Sequence, residues 1–339
     1  MPSWAGIGQS APDRGCFSQS SGRGRSRRED LRNRNPAYND FSFWIVDETT
    51  MTKPVLILGG ASLDTIIHLP ALPAPEPQTI WPSESYRALG STGAGKSLNL
   101  AALGQPVVFH TLLGRDTEGQ QILAALGHPG IRLLTEKTAA PTEQHVNLMS
   151  ADGKRISLFI QPPPEPEHLD WTQAQQALAE CSMAVVNILG YTRSALPWLK
   201  AAGTPIWTDL HDYDGHNPYH EPFIEAARAI FLSSDNLADY RSTMERLVRR
   251  GKEFVVCTHG SEGSTLLTGD GQWLEQPVVS VSRVVDTNGA GDAFFSGFLH
   301  RYLQGAELTD CLRAGAIAGA LCVTSRELVS PDLNPQRLA

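Results

Sequence analysis

The chain has 339 residues, and 41% of them are hydrophobic, which is typical of a globular protein with a sizeable core. Its net charge of −8 at pH 7 excludes a general basic surface of the kind that binds nucleic acid or anionic membranes. The sequence has no run of about 18 apolar residues, so no transmembrane helix is predicted. The five cysteines are scattered without a CxxC pair, and they predict a reducing, cytoplasmic location and no metal cluster.

Residues 1–50 are rich in Ser, Gly and Arg and lack apolar periodicity, so we expect a disordered or non-native extension. A transit peptide is one alternative, although Asp13, Glu29 and Asp30 argue against it. An arginine-rich arm for RNA phosphates is another. We favour a misassigned start codon with Met51 as the true start, because Met51 lies just before the first strand-like run.

Buried strand-like runs then alternate with helical patterns along the chain. The strand-like runs are residues 54–58, 107–109, 183–189, 205–209, 229–232 and 254–258, and the helical patterns include 98–103, 114–126, 171–180 and 312–323. Such alternation predicts an α/β fold, a doubly wound, mainly parallel sheet flanked by helices. Acids, hydroxyls and glycines follow the carboxyl ends of these strands, where ligands bind in such sheets.

Two segments interrupt this alternation. Residues 70–82 are rich in proline and predict loops and short strands in a small flap. Residues 146–149 and 155–160 alternate on either side of Asp152-Gly153, which is a β-hairpin pattern.

The segment Gly90-Ser91-Thr92-Gly93-Ala94-Gly95-Lys96-Ser97 matches the phosphate-binding pattern G-x-x-x-x-G-K-[ST] in full. A P-loop follows a buried parallel strand, whereas residues 82–89 are polar and unlike such a strand. We therefore expect a glycine-rich ligand loop at the start of a helix that ends at Leu103-Gly104. A P-loop NTPase centred on Lys96 remains an alternative.

The stretch Asp286-Thr287-Asn288-Gly289-Ala290-Gly291-Asp292 follows a β-branched run at 278–285 and precedes a helical apolar pattern from Phe294. It predicts a strand, a glycine turn and a helix. Glycines and a helix N-terminus present backbone N–H groups to an anion. Asp292 in the first turn is placed to accept a proton from a hydroxyl group, as phosphoryl transfer to an alcohol requires. The plain alternative is a glycine turn with a capping aspartate.

Over residues 54–325 the chain resembles the ribokinase-like (PfkB) family of carbohydrate kinases. Residues 286–292 match the family pattern D-T-x-G-A-G-D without a substitution. The resemblance implies that Gly289, Ala290 and Gly291 form an anion hole and that Asp292 is the catalytic base. It also implies one kinase domain over 54–330, in which segments 65–88 and 143–161 form a small β-strand lid. A homodimer through this lid is a further implication.

The resemblance assigns roles to residues that match other family motifs. The residues assigned to the acceptor substrate are Gly59, Gly60, Asp64, Gly90, Lys96 and Asp209; those assigned to the nucleotide are Ser234, Thr258, Gly260, Gly263, Thr287 and Asn288. A stretch with Gly114, Asp116 and Gly119 is expected to be structural. ATP and Mg²⁺ are the implied cofactors.

Three stretches depart from the family pattern, and one of them is 324–327, where the family commonly has Gly-Ala. The family has N-x-x-E near the magnesium site, whereas this chain has Asn236 and Asp239, with Ser234 and Asp235 at the equivalent strand position. Asp235 and Asp239 are therefore the candidate metal ligands. Where Lys96 or Gly95 stands, the family often has an asparagine, and we expect Lys96 to contact an anionic acceptor or an incoming phosphate.

The leading hypothesis is an ATP-dependent, magnesium-requiring kinase that phosphorylates a hydroxymethyl group of a sugar or a sugar-like small molecule. A catalytically weak ligand-binding or regulatory protein on the same fold is the alternative from a different class, suggested by the altered magnesium motif. The motifs leave the acceptor open among sugars, sugar acids, sugar phosphates, nucleosides and polyols.

Overall fold

The computed structural model describes residues 52–151 and 153–338, so the predictions made for residues 1–50 lie outside it. The strands of the described part are β1 Val55–Leu58, β2 Ser62–Leu69, β3 Glu84–Gly90, β4 Val107–Leu113, β5 Ile131–Lys137, β6 Gln144–Ser150, β7 Arg155–Gln161, β8 Met183–Val186, β9 Ile206–Asp209, β10 Ala229–Ser233, β11 Phe254–Thr258, β12 Ser264–Thr268 and β13 Trp273–Gln276. The α-helices there are α1 Thr92–Ala102, α2 Thr117–Ala125, α3 Thr172–Leu178, α4 Leu196–Ala201, α5 Glu221–Ala226, α6 Tyr240–Val248, α7 Ala290–Leu303 and α8 Leu308–Cys322.

A large sheet has the strand order β13-β12-β11-β10-β9-β8-β1-β4-β5. Its parallel strands are β11, β10, β9, β8, β1, β4 and β5, and β12 and β13 are antiparallel additions at one edge. Strand β1 lies between β4 and β8, with Val55 opposite both Val107 and Met183. The predicted α/β fold with a mainly parallel sheet is confirmed. All the parallel strands therefore end at one edge, where the loops that follow them meet.

The apolar core lies on both faces of this sheet. Leu56 and Leu58 pack on one side, and Val55 and Ile57 pack on the other, as the two-residue period of a strand requires. On the second side, the buried Trp207 of β9 contacts Phe295 of α7, with ring centroids 6.1 Å apart. This packing fixes α7, and hence its N-terminal turn, against the carboxyl end of β9.

A separate small sheet has the order β3-β2-β6-β7. Strands β2 and β6 are parallel, whereas β3 and β7 are antiparallel to their neighbours. The predicted hairpin is confirmed as β6 and β7. The segments 65–88 and 143–161 supply most of this sheet, and the lid role expected of it stays a prediction.

The predicted strand at 278–285 is wrong, because residues 277–289 lie outside strands and helices. Val278 and Val284 are exposed, and Val285 donates its backbone N–H to Val323 O at the end of α8, at 2.7 Å. Alternating valines favour a strand only where a neighbouring strand can pair with them. Among the described residues, no helix is both long enough and apolar enough to cross a membrane.

Candidate active site

The N-terminus of α7 presents backbone N–H groups without a side-chain cap. Gly289 is the N-cap residue, and its φ of 79° is left-handed, a conformation that glycine adopts without strain. No side chain in the described part of the chain caps this helix start. Because first-turn N–H groups have no carbonyl partner within a helix, this turn is suited to bind an anion.

Asp292 lies in this first turn and is 8% exposed. Its Oδ1 lies 2.5 Å from Nζ of Lys96. The same Nζ lies 3.1 Å from Oδ2 of Asp209, at the carboxyl end of β9. Lys96 therefore joins two carboxylates that are 83 positions apart in the sequence, and the three side chains form one buried cluster, which we call the Lys96 cluster.

The charges of the Lys96 cluster stabilise one another. Burial favours neutral forms and would lower the pKa of Lys96, but Asp292 and Asp209 outweigh this effect and raise it above its ordinary value. Burial would raise the pKa of Asp209, but His211 and Lys96 outweigh this and lower it to about 2. Lys96 is consequently a cation and Asp209 an anion at neutral pH.

This arrangement argues against the P-loop alternative. The Lys96 side chain has no exposed surface, and it leaves the middle of α1 rather than a loop. The strand before it, β3, is an antiparallel edge strand of the small sheet. A P-loop lysine instead follows a buried parallel strand and reaches nucleotide phosphates.

Helix α1 packs closely on the first turn of α7. A Cβ added to Gly95 would lie 2.7 Å from Oδ2 of Asp292, which is too close for a real contact. The Ser296 hydroxyl donates to Lys96 O at 3.3 Å, and the Asn99 amide donates to Gly95 O at 2.8 Å. Glycine at position 95 thus lets the helix backbone approach the Asp292 carboxylate.

The segment that matched the P-loop pattern also touches the predicted acceptor loop. Ala94 donates its backbone N–H to Gly60 O at 3.0 Å. A Cβ on Gly93 would lie 2.6 Å from the same oxygen, and one on Gly90 would lie 2.2 Å from Oδ2 of Asp64. The structure therefore brings Gly60, Gly90, Asp64 and the start of α1 together, and their binding of the acceptor stays a prediction.

Asp64 lies on β2 of the small sheet and is 2% exposed. It accepts hydrogen bonds from the Ser62 hydroxyl at 2.6 Å and the Asn147 amide at 3.1 Å. Nδ1 of His145 lies 3.2 Å from Oδ1 of the same carboxylate. The sequence analysis missed His145 and Asn147. Their spacing of two residues on a predicted strand was the available signal, because such residues lie on the same face of the strand.

His145 is a buried cation between two acids. Its Nε2 lies 2.9 Å from Oε1 of Glu143, in addition to the contact with Asp64. Burial would lower the pKa of His145, but the hydrogen bonds and charges of Asp64 and Glu143 outweigh it and raise the pKa to about 9. Asp64 is therefore paired with a protonated imidazole at neutral pH.

Four of the residues assigned to the nucleotide lie at the ends of β10 and β11 or just after them, and these are Ser234, Thr258, Gly260 and Gly263. The backbone N–H of Ser234 donates to Thr258 O at 3.0 Å, so these two predicted residues are neighbours. Gly260 and Gly263 have φ of 56° and 98°. A Cβ on Gly263 would also lie 2.2 Å from Gln276 O. Position 263 therefore requires glycine, because of both the lack of room for a side chain and the positive φ.

Contacts with the small sheet hold the loop before α7. The Tyr86 hydroxyl donates to Oδ2 of Asp286 at 2.6 Å, and Arg155 donates to Oδ1 of Asn288 at 3.2 Å. Asp286 also accepts from the Asn288 N–H at 2.8 Å. Thr287 and Asn288 therefore lie between the N-terminus of α7 and strand β7.

The candidate metal ligands differ in how their oxygens are used. Asp239 is the N-cap of α6, and its two oxygens accept from the N–H and the hydroxyl of Ser242, at 3.0 and 2.6 Å. Asp235 is exposed, two residues after the end of β10. Within residues 52–151 and 153–338, no group of three or more His, Cys, Asp and Glu side chains could hold a metal ion. Asp116 is structural as expected, since it caps α2 and accepts from Thr142 N–H at 2.7 Å.

Comparison with known proteins identifies the family. The family model described as pfkB family carbohydrate kinase matches residues 224–335. An acarbose 7(IV)-phosphotransferase from an Actinoplanes species is 37% identical over 275 residues, which cover 80% of this chain and 92% of that protein. The chain belongs to the pfkB family of carbohydrate kinases. As a pfkB kinase it is a phosphotransferase with an alcohol group as acceptor, so the predicted enzyme class is confirmed.

Solved structures agree with the pfkB fold. A microbiome-derived acarbose kinase has a TM-score of 0.74 and 30% identity, and the match covers 85% of this chain and 98% of that one. An Arabidopsis thaliana ribokinase, solved with ribose and ATP, has a TM-score of 0.69 and 22% identity, with 85% of this chain and 98% of that one covered. The second likeness shows the fold alone.

Proposed function

We propose that this kinase transfers the γ-phosphoryl group of ATP to a hydroxyl group of a carbohydrate acceptor, with Asp292 as the general base. The backbone of Gly289, Ala290 and Gly291 is the anion hole. The observation that carries this proposal is a buried carboxylate in the first turn of a helix whose N-terminus has no side-chain cap. An anion site and a proton acceptor thus lie within one helical turn, as phosphoryl transfer requires.

The proposed reaction needs no covalent intermediate on the protein. Asp292 accepts the proton of the acceptor hydroxyl while the hydroxyl oxygen forms a bond to the γ-phosphorus. The bond from that phosphorus to the bridging oxygen breaks, and ADP leaves with the electron pair. The N–H groups at the start of α7 face the charge of the transferring group, which accounts for most of the catalysis in such a site.

The acceptor side consists of Gly59, Gly60, Asp64, Gly90 and Asp209. Its buried carboxylates are hydrogen-bond acceptors for sugar hydroxyl groups. Because two relatives are named for acarbose, we propose acarbose and related α-linked oligosaccharides as the first acceptors to test.

The nucleotide side consists of Ser234, Thr258, Gly260, Gly263, Thr287 and Asn288 in this proposal. Mg²⁺ bound to nucleotide phosphates would neutralise their charge during transfer. Asp235 fits such an ion, since its exposed carboxylate follows a strand of the nucleotide side. Asp239 fits less well, because both of its oxygens cap α6.

We propose that the small sheet is the lid over the acceptor. We also propose that its edge strand β7 pairs with a second copy of the chain. This pairing is supported by the apolar side chains that Leu158, Phe159 and Ile160 expose on that edge. Sedimentation of the Ile160→Lys variant tests the proposed dimer. The variant should be monomeric at concentrations where the unaltered protein is dimeric. If the unaltered protein is itself a monomer, the proposed dimer is contradicted.

A coupled assay of ADP release tests the proposed function directly. The full chain is supplied with ATP, Mg²⁺ and one of a panel that contains acarbose, maltotriose, ribose, fructose and adenosine. We expect release above the no-acceptor rate with acarbose or maltotriose. Release with adenosine alone would contradict the acceptor class, and no release with any of them would favour a weakly catalytic binding protein.

A further inference from the structure

We infer that Lys96 is a positioning residue that keeps the proposed base ionised and oriented, and that it does not bind the acceptor or nucleotide. The inference rests on the proposed function, because it takes Asp292 as the base. Its basis is geometric: one ammonium group lies 2.5 Å from Asp292 and 3.1 Å from Asp209. The surface of the Lys96 side chain is fully covered by protein.

A substrate-binding role does not fit this burial. A lysine that binds a phosphate or a carboxylate of a ligand must present its ammonium group to the cleft. The Nζ of Lys96 is instead taken up by two carboxylates, with the Phe295 ring centroid 4.9 Å away. To reach a ligand, it would have to leave both anions unpaired in the protein interior, which is costly.

The charges around Asp292 make a cation necessary. The titratable groups next to the Lys96 ammonium or next to its partners are Asp209 of β9, Asp292 of α7, His211 in the loop after β9 and Cys322 of α8. Without Lys96, two carboxylates would face each other in the interior, and such a pair retains a proton at higher pH than a single acid does. A protonated Asp292 cannot accept the proton of the acceptor hydroxyl. Lys96 thus supplies the cation that pairs with the carboxylate of the proposed base.

Helix α1 also fixes the orientation of the base. Gly95 leaves no room for a Cβ beside Oδ2 of Asp292, while Lys96 holds Oδ1. The carboxylate therefore lies between the backbone of one residue and the ammonium group of the next. The sequence pattern Gly-Lys, which resembled a P-loop, is explained by its contacts with the base.

The test is the pH dependence of kcat in Lys96→Met, a neutral side chain of similar length. We expect the acid limb of the profile to move up by about one to three pH units. Activity should fall at least tenfold near pH 6 and recover toward pH 9, while the Kd for ATP changes by less than threefold. A profile parallel to that of the unaltered enzyme, or a loss confined to the KM of anionic acceptors, would overturn the inference.

Two further variants keep the test decisive. Lys252 is a second buried lysine, but it donates to the backbone carbonyl groups of Ile224 and Ala227, so Lys252→Met should lower Tm without moving the pH profile.

The double variant Lys96→Met, Asp209→Asn restores the charge balance, and its acid limb should return toward that of the unaltered enzyme even if Asp209→Asn raises KM. An acid limb that stays elevated in the double variant would overturn the inference.

Turnover by Asp292→Asn separates this inference from the proposed function. Wild-type turnover in Asp292→Asn would refute the proposed function itself. If Asp292→Asn instead loses most of its turnover but the pH profile of Lys96→Met is unshifted, only the role of Lys96 is refuted.

Discussion

The hydroxyl of Tyr86 donates a hydrogen bond of 2.6 Å to the carboxylate of Asp286. This bond joins β3 of the small sheet to the loop before α7, across 200 positions of the sequence. Burial and the Asp286 carboxylate together raise the pKa of Tyr86, so the phenol stays a donor over the whole working pH range. The proposed lid is thus hydrogen-bonded to the loop that leads into the proposed anion hole.

Removing this hydroxyl should impair closure of the lid more than folding. In Tyr86→Phe, we expect kcat/KM for the acceptor to fall about 10-fold, because a hydrogen bond to a charged group contributes about 1.5–3 kcal/mol and the site is partly exposed. Steady-state kinetics and thermal unfolding measure the two effects. Tyr302→Phe is the matched control, since Tyr302 donates to Glu253 at 2.9 Å in another part of the protein. Equal kinetic losses in both variants would argue against a lid contact.

Gly291→Ala should separate binding from folding. A Cβ at this position would meet no protein atom within 4 Å, and alanine favours a helix more than glycine does. The proposed anion hole occupies that open space, so the methyl group should block the phosphoryl group. We expect an unchanged or higher Tm together with a fall in kcat of about 10²-fold. Unchanged turnover would place the anion elsewhere.

Gly95→Ala should act through Asp292. The new Cβ would displace the carboxylate, and a small misplacement of a catalytic group costs about 10²-fold in rate. A double-mutant cycle distinguishes this from general damage to α1. In an Asp292→Asn background, Gly95→Ala should cause almost no further loss of kcat. Additive losses would show that Gly95 matters for another reason.

His145 predicts a stability change at alkaline pH. Its pKa is about 9 in the folded protein, above the ordinary 6.5. The ion pairs with Asp64 and Glu143 therefore stabilise the fold fully below pH 6.5, and this contribution is lost as pH rises through 9. The free energy of unfolding should fall by a few kcal/mol between pH 6.5 and 10 in the unaltered protein. In His145→Gln this slope should be much shallower, and equal slopes would contradict the assignment.

The sequence predicted what local patterns can determine. Residues 286–292 and the residues after them contain their own turn glycines and apolar period, so the glycine turn and helix α7 could be predicted from the sequence, whereas anion binding by this turn stays a proposal. The strand predicted at 278–285 was wrong, because its valines have no strand beside them. Whether an alternating run pairs depends on residues far along the chain.

The role that we propose for Lys96 could not be predicted for the same reason. Its partners Asp209 and Asp292 lie 113 and 196 positions away, so nothing near residue 96 indicates two carboxylates. The local pattern matched a phosphate loop in its letters, and we expected a glycine-rich ligand loop in which Lys96 contacts an anionic acceptor or an incoming phosphate. Only the packing of α1 on α7 shows that the lysine faces the interior.

The measurement that tests the central claim most directly is turnover by Asp292→Asn. The amide has nearly the same shape as the carboxylate but cannot accept the proton of a hydroxyl group. We expect a folded protein that binds ATP and has a kcat lower by about 10²–10⁴-fold with any acceptor that the unaltered enzyme phosphorylates. Near-normal turnover by this folded variant would contradict the assignment of Asp292 as the base.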